Sequence, residues 1–188
     1  MHLLHCVAAA LLVTCSACTG GAGDAGAPAH EAPRPGPASP AAWVVSERAA
    51  GPLHIGMTVA EASRALGARL VPVNAAGPGC DMAEPPGAPA DFSVMLIADT
   101  LVRFDVLDTG TRTAEGVGVG SSEAAVFAAY PGRVTVEPHK YGGPEEHYLI
   151  VPAHPDSAYA YVFETDGRKV TQWRAGRREE VAWVEGCA

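Results

Sequence analysis

The sequence predicts an α+β fold made of two tandem units, each a short helix packed on an antiparallel β-hairpin or small sheet. The first observation is an internal repeat: a phrase around Gly56 returns around Gly120, and Thr58 falls on Ser122 at the same offset of 64 residues. The second is that each copy is followed by two apolar runs joined by a short polar turn, which is typical of a hairpin. We expect repeat one over about 53–108 and repeat two over about 116–175.

Each copy opens with a glycine turn, a hydroxyl residue and a short amphipathic stretch. Thr58 and Glu61 form a capping-box pattern, in which each side chain satisfies a backbone N–H of the first helical turn. Apolar residues follow at helical spacing, and Gly67 ends the first stretch while Pro131-Gly132 ends the second. The sequence therefore predicts one helix between Thr58 and Leu66 and a second between Ser122 and Tyr130.

Each copy then closes with a predicted hairpin. The strands are expected over 92–98 and 101–107 in the first copy, and over 159–164 and 169–174 in the second. The first turn is placed at Asp99-Thr100, and the second contains Asp166-Gly167, a strong hairpin signal. Further strands are expected at 43–46, 133–137 and 147–151, with a C-terminal strand within 181–187.

The returning strand of the first hairpin alternates apolar and charged residues. Val102, Phe104 and Val106 alternate with Arg103 and Asp105, which predicts one buried side and one side in water. We therefore expect the Asp105 carboxylate to be solvated rather than catalytic.

The first eighteen residues resemble a bacterial lipoprotein signal with a lipobox. The apolar run at 7–13 is too short to span a bilayer, and small residues precede Cys18. The resemblance implies that Cys18 is lipidated and becomes the mature N-terminus, with Cys15 as the alternative anchor. Cleavage without lipidation would instead yield a secreted protein.

Residues 19–42 are mostly Ala, Gly and Pro and predict a disordered tether, because such a composition cannot form a packed core. The globular domain is expected over 43–188. The formal net charge of −8 argues against a nucleic-acid partner, since an acidic surface repels phosphates.

Cys80 and Cys187 are the two cysteines of the expected domain. An even pair in an exported domain favours a disulfide over free thiols. The bridge would join the C-terminal end to the first half of the domain.

A family resemblance rests on residues 55–67, in which Ile55-Gly56-Met57-Thr58 is followed by Glu61-Ala62 and Leu66-Gly67. This phrase resembles the opening of the β-lactamase inhibitor protein and of the small lipoprotein of the outer-membrane barrel assembly machinery. The resemblance implies a helix that packs on a small antiparallel sheet, and the inhibitor protein is itself a tandem of two such units. Segments at 139–141, 147–149, 162–167 and 184–187 are similar to uncharacterised envelope proteins, some of which carry a lectin label.

Reactive and aromatic side chains are densest between residues 139 and 148. The candidate binding loop comprises His139, Tyr141, Glu146, His147 and Tyr148. Aromatic and histidine side chains suit protein hot spots and sugar stacking alike. The two histidines are not at helical i, i+4 spacing and no second ligand pair is evident, so we predict neither a metal nor another cofactor.

Motifs for nucleophilic catalysis are missing. Ser121 and Ser122 follow Gly120, but the glycine that a nucleophile elbow requires two residues beyond the serine does not occur. The sequence therefore predicts a non-enzymatic lipoprotein of the bacterial envelope, with the outer membrane or periplasm as its location. Protein binding or scaffolding is the leading function. A lectin-like module that binds a cell-surface glycan and an inhibitor of an extracytoplasmic hydrolase are the alternatives.

Overall fold

The computed structural model describes residues 43–74, 79–155 and 157–187. The predicted signal, the lipid anchor at Cys18 or Cys15 and the tether at 19–42 lie outside the described residues. None of the described helices has the length and apolar character needed to cross a membrane.

Short strands predominate in the described part of the chain. The strands are β1 Val44–Val45, β2 Ala49–Ala50, β3 Leu53–His54, β4 Cys80–Ala83, β5 Phe92–Ile97, β6 Thr100–Val106, β7 Arg112–Thr113, β8 Thr135–Pro138, β9 His147–Pro152, β10 Tyr159–Thr165 and β11 Val170–Arg177. The helices are α1 Val59–Leu66, α2 Glu123–Ala129 and α3 Arg178–Val181.

The strands form two sheets, and the predicted fold class is wrong. A seven-stranded sheet has the order β4-β5-β6-β11-β10-β9-β8, and a small four-stranded sheet has the order β3-β2-β1-β7. The described part of the chain is mostly β, and its helices are eight, seven and four residues long. The two hairpins do not form separate helix-on-hairpin units, because β6 and β11 pair with each other at the centre of one continuous sheet. This pairing satisfies the backbone groups that an isolated hairpin leaves exposed at its edge.

Helices α1 and α2 each begin against the tip of a hairpin. The backbone N–H of Val59 donates to the carbonyl of Asp99, and that of Glu123 donates to the carbonyl of Arg168, both at 3.1 Å. Each bond satisfies an N–H that the first turn of a helix leaves without a partner. The same local connection therefore occurs at both helices, although the strands belong to one sheet.

The tip of the first hairpin differs from the prediction by one residue. Its central residues are Ala98 and Asp99, which both have positive φ angles of 47° and 66°. Thr100, predicted to lie in the turn, is the first residue of β6 and pairs with Ile97. A two-residue turn with both φ angles positive matches the twist of the strands that it joins.

The seven-stranded sheet buries its first face in the main core. Strand alternation places Phe104, Phe163 and Trp173 on this face, together with the Leu149 side chain, and all four are fully buried. Helices α1 and α2 and the small sheet cover them. Aromatic packing dominates this core, and the ring centroids of Phe163 and Trp173 lie 5.7 Å apart.

The second face of the sheet is covered by residues 178–187, which we call the C-terminal segment. The predicted C-terminal strand within 181–187 is wrong, because α3 occupies residues 178–181 and turns follow it. The predicted disulfide between Cys80 and Cys187 is confirmed, with a Cα–Cα distance of 5.3 Å. It ties the end of the segment to β4, an edge strand of the sheet.

Candidate functional site

The residues of the predicted binding loop are divided between the two faces of the sheet. His147 and Tyr148 are neighbours on β9, so their side chains point in opposite directions. The His147 Nδ1 atom lies 2.9 Å from Glu123 Oε1 at the start of α2. Tyr148 packs on the second face, where its ring stacks on His139 with centroids 4.5 Å apart. The five predicted residues therefore do not form a single site.

On the first face, His147 belongs to a small hydrogen-bonded cluster. Glu123 Oε1 also accepts a hydrogen bond of 2.5 Å from the Thr165 hydroxyl. The glutamate thus joins α2 to β9 and β10. His147 therefore has a structural role: through Glu123, it holds α2 on the sheet.

On the second face, His139 is a member of a buried charged network. The backbone N–H of Tyr141 donates to His139 Nδ1 at 3.2 Å, so the proton of a neutral ring is on Nε2. That Nε2 lies 3.1 Å from Glu164 Oε2 and donates to it. The other carboxylate oxygen of Glu164 forms a 2.7 Å ion pair with Arg174 Nη2.

Asp105 lies in the same network and is not solvated, contrary to the sequence prediction. Its carboxylate accepts two parallel hydrogen bonds from Arg103, at 2.9 Å from Nε and 2.8 Å from Nη2. Burial raises the pKa of Asp105, and the Arg103 charge opposes that rise. Alternation along β6 correctly separates the charged residues from the apolar ones. It could not show that another segment covers the charged side.

The two buried arginines hold the C-terminal segment. Arg103 Nη1 donates to the carbonyl oxygen of Glu180 at 2.8 Å and to that of Trp183 at 2.9 Å. Arg174 Nη1 donates to the same Trp183 carbonyl at 3.1 Å. The charged groups of this network bond to each other and to backbone carbonyls. The network is therefore structural.

Exposed aromatic side chains lie where the loop meets the C-terminal segment. Tyr141 is 63% exposed and Trp183 is 36% exposed. The Tyr141 hydroxyl donates to Glu185, and Lys140 Nζ lies 3.1 Å from the same carboxylate. We call Lys140, Tyr141, Trp183 and Glu185 the aromatic surface. Sequence reasoning found Tyr141 but assigned Trp183 to a strand, so it did not place the two in one region.

Glu146, the remaining residue of the predicted loop, stabilises the loop itself. Its carboxylate accepts a hydrogen bond of 3.1 Å from the backbone N–H of Gly143. The backbone N–H of Glu146 in turn donates to the Gly143 carbonyl at 3.0 Å. These bonds shape the turn from which Tyr141 projects.

A cleft of about 650 Å³ lies between α1, the residues that follow it, and the ends of β4 and β5. Val59, Leu70 and Leu96 contribute apolar surface to its lining. Asp81, which is only 9% exposed, contributes a carboxylate. Sequence reasoning missed this cleft because it did not predict β4, the strand that carries Asp81.

Within the described ranges, no three side chains of His, Cys, Asp or Glu come together as the ligands of a metal ion would.

No protein-family model matches the chain, and no curated protein matches it. Among solved structures, the chain is similar to the crystal structure of the uncharacterized protein yfeY from Escherichia coli. The two are 18% identical in sequence, and the similarity covers 71% of this chain and 99% of that one, with a TM-score of 0.48.

Proposed function

We propose that this chain is an exported, lipid-anchored binding protein without enzymatic activity, and that it contacts a protein partner in the bacterial envelope through the aromatic surface. The observation that carries the proposal is the position of two exposed aromatic side chains, Tyr141 and Trp183, beside the disulfide-bonded end of the chain. Tyrosine and tryptophan are enriched among the residues that dominate binding energy in protein interfaces.

The polar groups around these rings favour a protein partner over a glycan. A sugar site needs free donors and acceptors next to the stacking ring, because the ligand is covered with hydroxyl groups. Here the Tyr141 hydroxyl and the Lys140 ammonium group both bond to Glu185. The accessible surface therefore combines two aromatic rings with a charged pair that is itself more than half exposed, a mixture that suits a protein interface.

The disulfide supports the proposed location. Bridges of this kind persist in oxidising compartments and are rare in the cytosol. Cys80 and Cys187 are separated by 107 residues, so the bridge links distant parts of the domain. An exported domain at the end of a tether would gain stability from such a link.

The anchor is tested by the intact mass of the natively expressed protein. We expect a chain that begins at Cys18, or at Cys15, with the added mass of lipid. A soluble product without lipid would remove the membrane anchor from the proposal but leave the binding function open.

The binding surface is tested by photo-cross-linking in cells, with a photoreactive amino acid at position 141. A matched control places it at position 127, because Phe127 is also an exposed aromatic residue, at 43% exposure, but lies on α2. We expect one envelope protein to cross-link from position 141 and none from 127.

Variants then identify the class of ligand. Combined Tyr141→Ala and Trp183→Ala should abolish co-purification of the cross-linked protein, and Phe127→Ala should not. Both variants keep the backbone carbonyl of residue 183, to which the buried arginines bond. Binding to a glycan array or to peptidoglycan that is lost in the double variant would contradict the protein partner and support the lectin-like alternative.

A further inference from the structure

We infer that the cleft beside α1 is a second binding site, which takes a small organic cation with an apolar body. Its volume of about 650 Å³ lies within the range of about 300–1,000 Å³ that is typical of small-molecule pockets. Val59, Leu70 and Leu96 supply the apolar surface that such a body would cover. The polar groups of the lining decide the charge of the ligand.

Asp81 is a buried carboxylate that lacks a counter-charge in the described part of the chain. It accepts hydrogen bonds from the backbone N–H of Met82 at 2.7 Å and from the backbone and side-chain amides of Asn74 at 3.0 and 3.2 Å. All of these donors are neutral, and no ion pair within the described residues includes Asp81. A buried charge is costly unless it is both hydrogen-bonded and paired with an opposite charge, and Asp81 has only the hydrogen bonds. A cation that enters the cleft would therefore be favoured.

The remaining charged residues of the lining agree with a cationic ligand. Asp99 adds a second carboxylate at the hairpin tip, and Arg69 adds one guanidinium. Arg69 is exposed and forms no described ion pair with either acid. The lining is therefore net negative, in a chain whose formal charge is −8.

The residues around the cleft have equivalents beside α2, and those equivalents are joined by hydrogen bonds. Asp99 and Arg168 occupy equivalent positions, because the carbonyl of each accepts a hydrogen bond from the first residue of a helix. From these two residues, the strands beside α1 can be aligned with those beside α2 position by position. The matched pairs are Val59 with Glu123, Ser63 with Phe127, Asp81 with His147 and Leu96 with Thr165. At α2, the histidine and the threonine both bond to the glutamate. At α1, smaller or apolar side chains leave the space open and the acid without such a partner.

The probe for this site is n-octylammonium, added to the purified chain with its disulfide formed. Binding is followed by two-dimensional amide NMR, which shows both affinity and location. n-Octanoate and n-octanol have the same chain length and serve as the anionic and neutral controls. We expect shifts in α1, in the residues that follow it and in β4, and octylammonium to bind at least about tenfold more tightly than octanoate.

Two variants test the origin of that preference. Asp81→Asn should reduce the affinity for octylammonium about tenfold and make the three probes alike. Ala60→Phe, at an exposed lining position of α1, should block all three by filling the cleft. Asp91→Asn, outside the lining, is the matched control for the loss of one negative charge and should bind as the wild type does.

Equal binding of octanoate and octylammonium, absence of binding, or shifts confined to other regions would overturn the inference. So would a folded Asp81→Asn variant that keeps the preference for the cation. None of these results depends on the aromatic surface, which the cleft lining does not include.

Discussion

Arg103 and Trp183 are 80 residues apart in the chain and are joined by a hydrogen bond of 2.9 Å from the guanidinium to the backbone carbonyl. The same nitrogen also donates to Glu180, the penultimate residue of α3. A side chain from the middle of the sheet thus adds a hydrogen bond to two carbonyl groups, each of which also accepts from a backbone N–H of the C-terminal segment. The C-terminal segment covers the sheet through this contact as well as through the disulfide.

Arg103→Ala is expected to lower the free energy of unfolding by about 3–5 kcal/mol, because Asp105 would remain buried without its partner. Urea unfolding followed by tryptophan fluorescence measures the change. In the double variant Arg103→Met with Asp105→Leu, no unpaired charge remains at these two positions. It should therefore be more stable than Arg103→Ala. If the unfolding free energy of Arg103→Ala lies within about 1 kcal/mol of that of the wild type, the pair of Arg103 and Asp105 is dispensable for stability.

Replacement of both Cys80 and Cys187 by serine is expected to lower the free energy of unfolding by about 4–5 kcal/mol. The physical reason is the loop of 107 residues that the bridge closes in the unfolded chain. Thermal unfolding with and without a thiol reductant provides the control: the reductant should lower the Tm of the wild type and leave that of the variant unchanged. A wild-type Tm that does not respond to complete reduction would contradict this prediction.

Gly176→Ala should destabilise the centre of the sheet by about 1–3 kcal/mol. Gly176 pairs with Arg103 across β6 and β11, and its φ angle of 151° disfavours other residues. An added Cβ would collide with the Val102 carbonyl oxygen and lie 2.8 Å from the Arg103 Cα atom. Gly143→Ala is the matched control, since its Cβ would meet only Glu146 Oε1 at an ordinary 3.7 Å. Equal stability of the two variants in urea would refute the steric explanation.

The capping box of α1 predicts a dependence of stability on pH. Hydrogen bonds from the backbone N–H and the hydroxyl of Thr58, each of 2.9 Å, lower the pKa of Glu61 from its ordinary value of 4.5. The unfolded chain therefore binds the proton more readily, and this contribution to stability is lost as the pH falls below 4.5 through the folded-state pKa. Thr58→Ala removes the hydroxyl bond but keeps the backbone N–H, so it should reduce this pH dependence only in part. It should also cost about 1 kcal/mol from the lost cap.

Glu61→Gln is the direct measurement of this pH effect. Its unfolding free energy between pH 6 and about pH 3 should fall less steeply than that of the wild type. Glu84→Gln removes another exposed carboxylate that has no capping partner and should follow the wild type. Parallel curves for Glu61→Gln and the wild type would be inconsistent with the capping assignment.

Local features of the fold follow closely from the sequence. Thr58 and Glu61 form the predicted capping box, and Ser122 caps α2. The paired cysteines form the expected bridge. Each of these predictions rests on residues that are close in sequence or, for the bridge, on a bond that few residues can form.

The candidate site was predicted only in part. Tyr141 is exposed, whereas His139 and Tyr148 are packed against each other on the second face. His147 lies on the first face, because β9 alternates. Density of reactive residues along the chain does not reveal which side of a strand each one occupies. No local pattern in the sequence predicted the cleft that Asp81 lines.

By itself, the sequence determined where α1 and α2 begin, that the segments of the two hairpins are extended, and which cysteines pair. Only the tertiary structure decided that the two hairpins join into one sheet, that Asp105 is covered, and that Tyr141 bonds to Glu185 of the segment that carries Trp183. The reason is physical: caps, turns and alternation depend on neighbouring residues, whereas the order of strands depends on the pairing of distant ones. Here the pairing of β6 with β11 is the step that no local pattern contains.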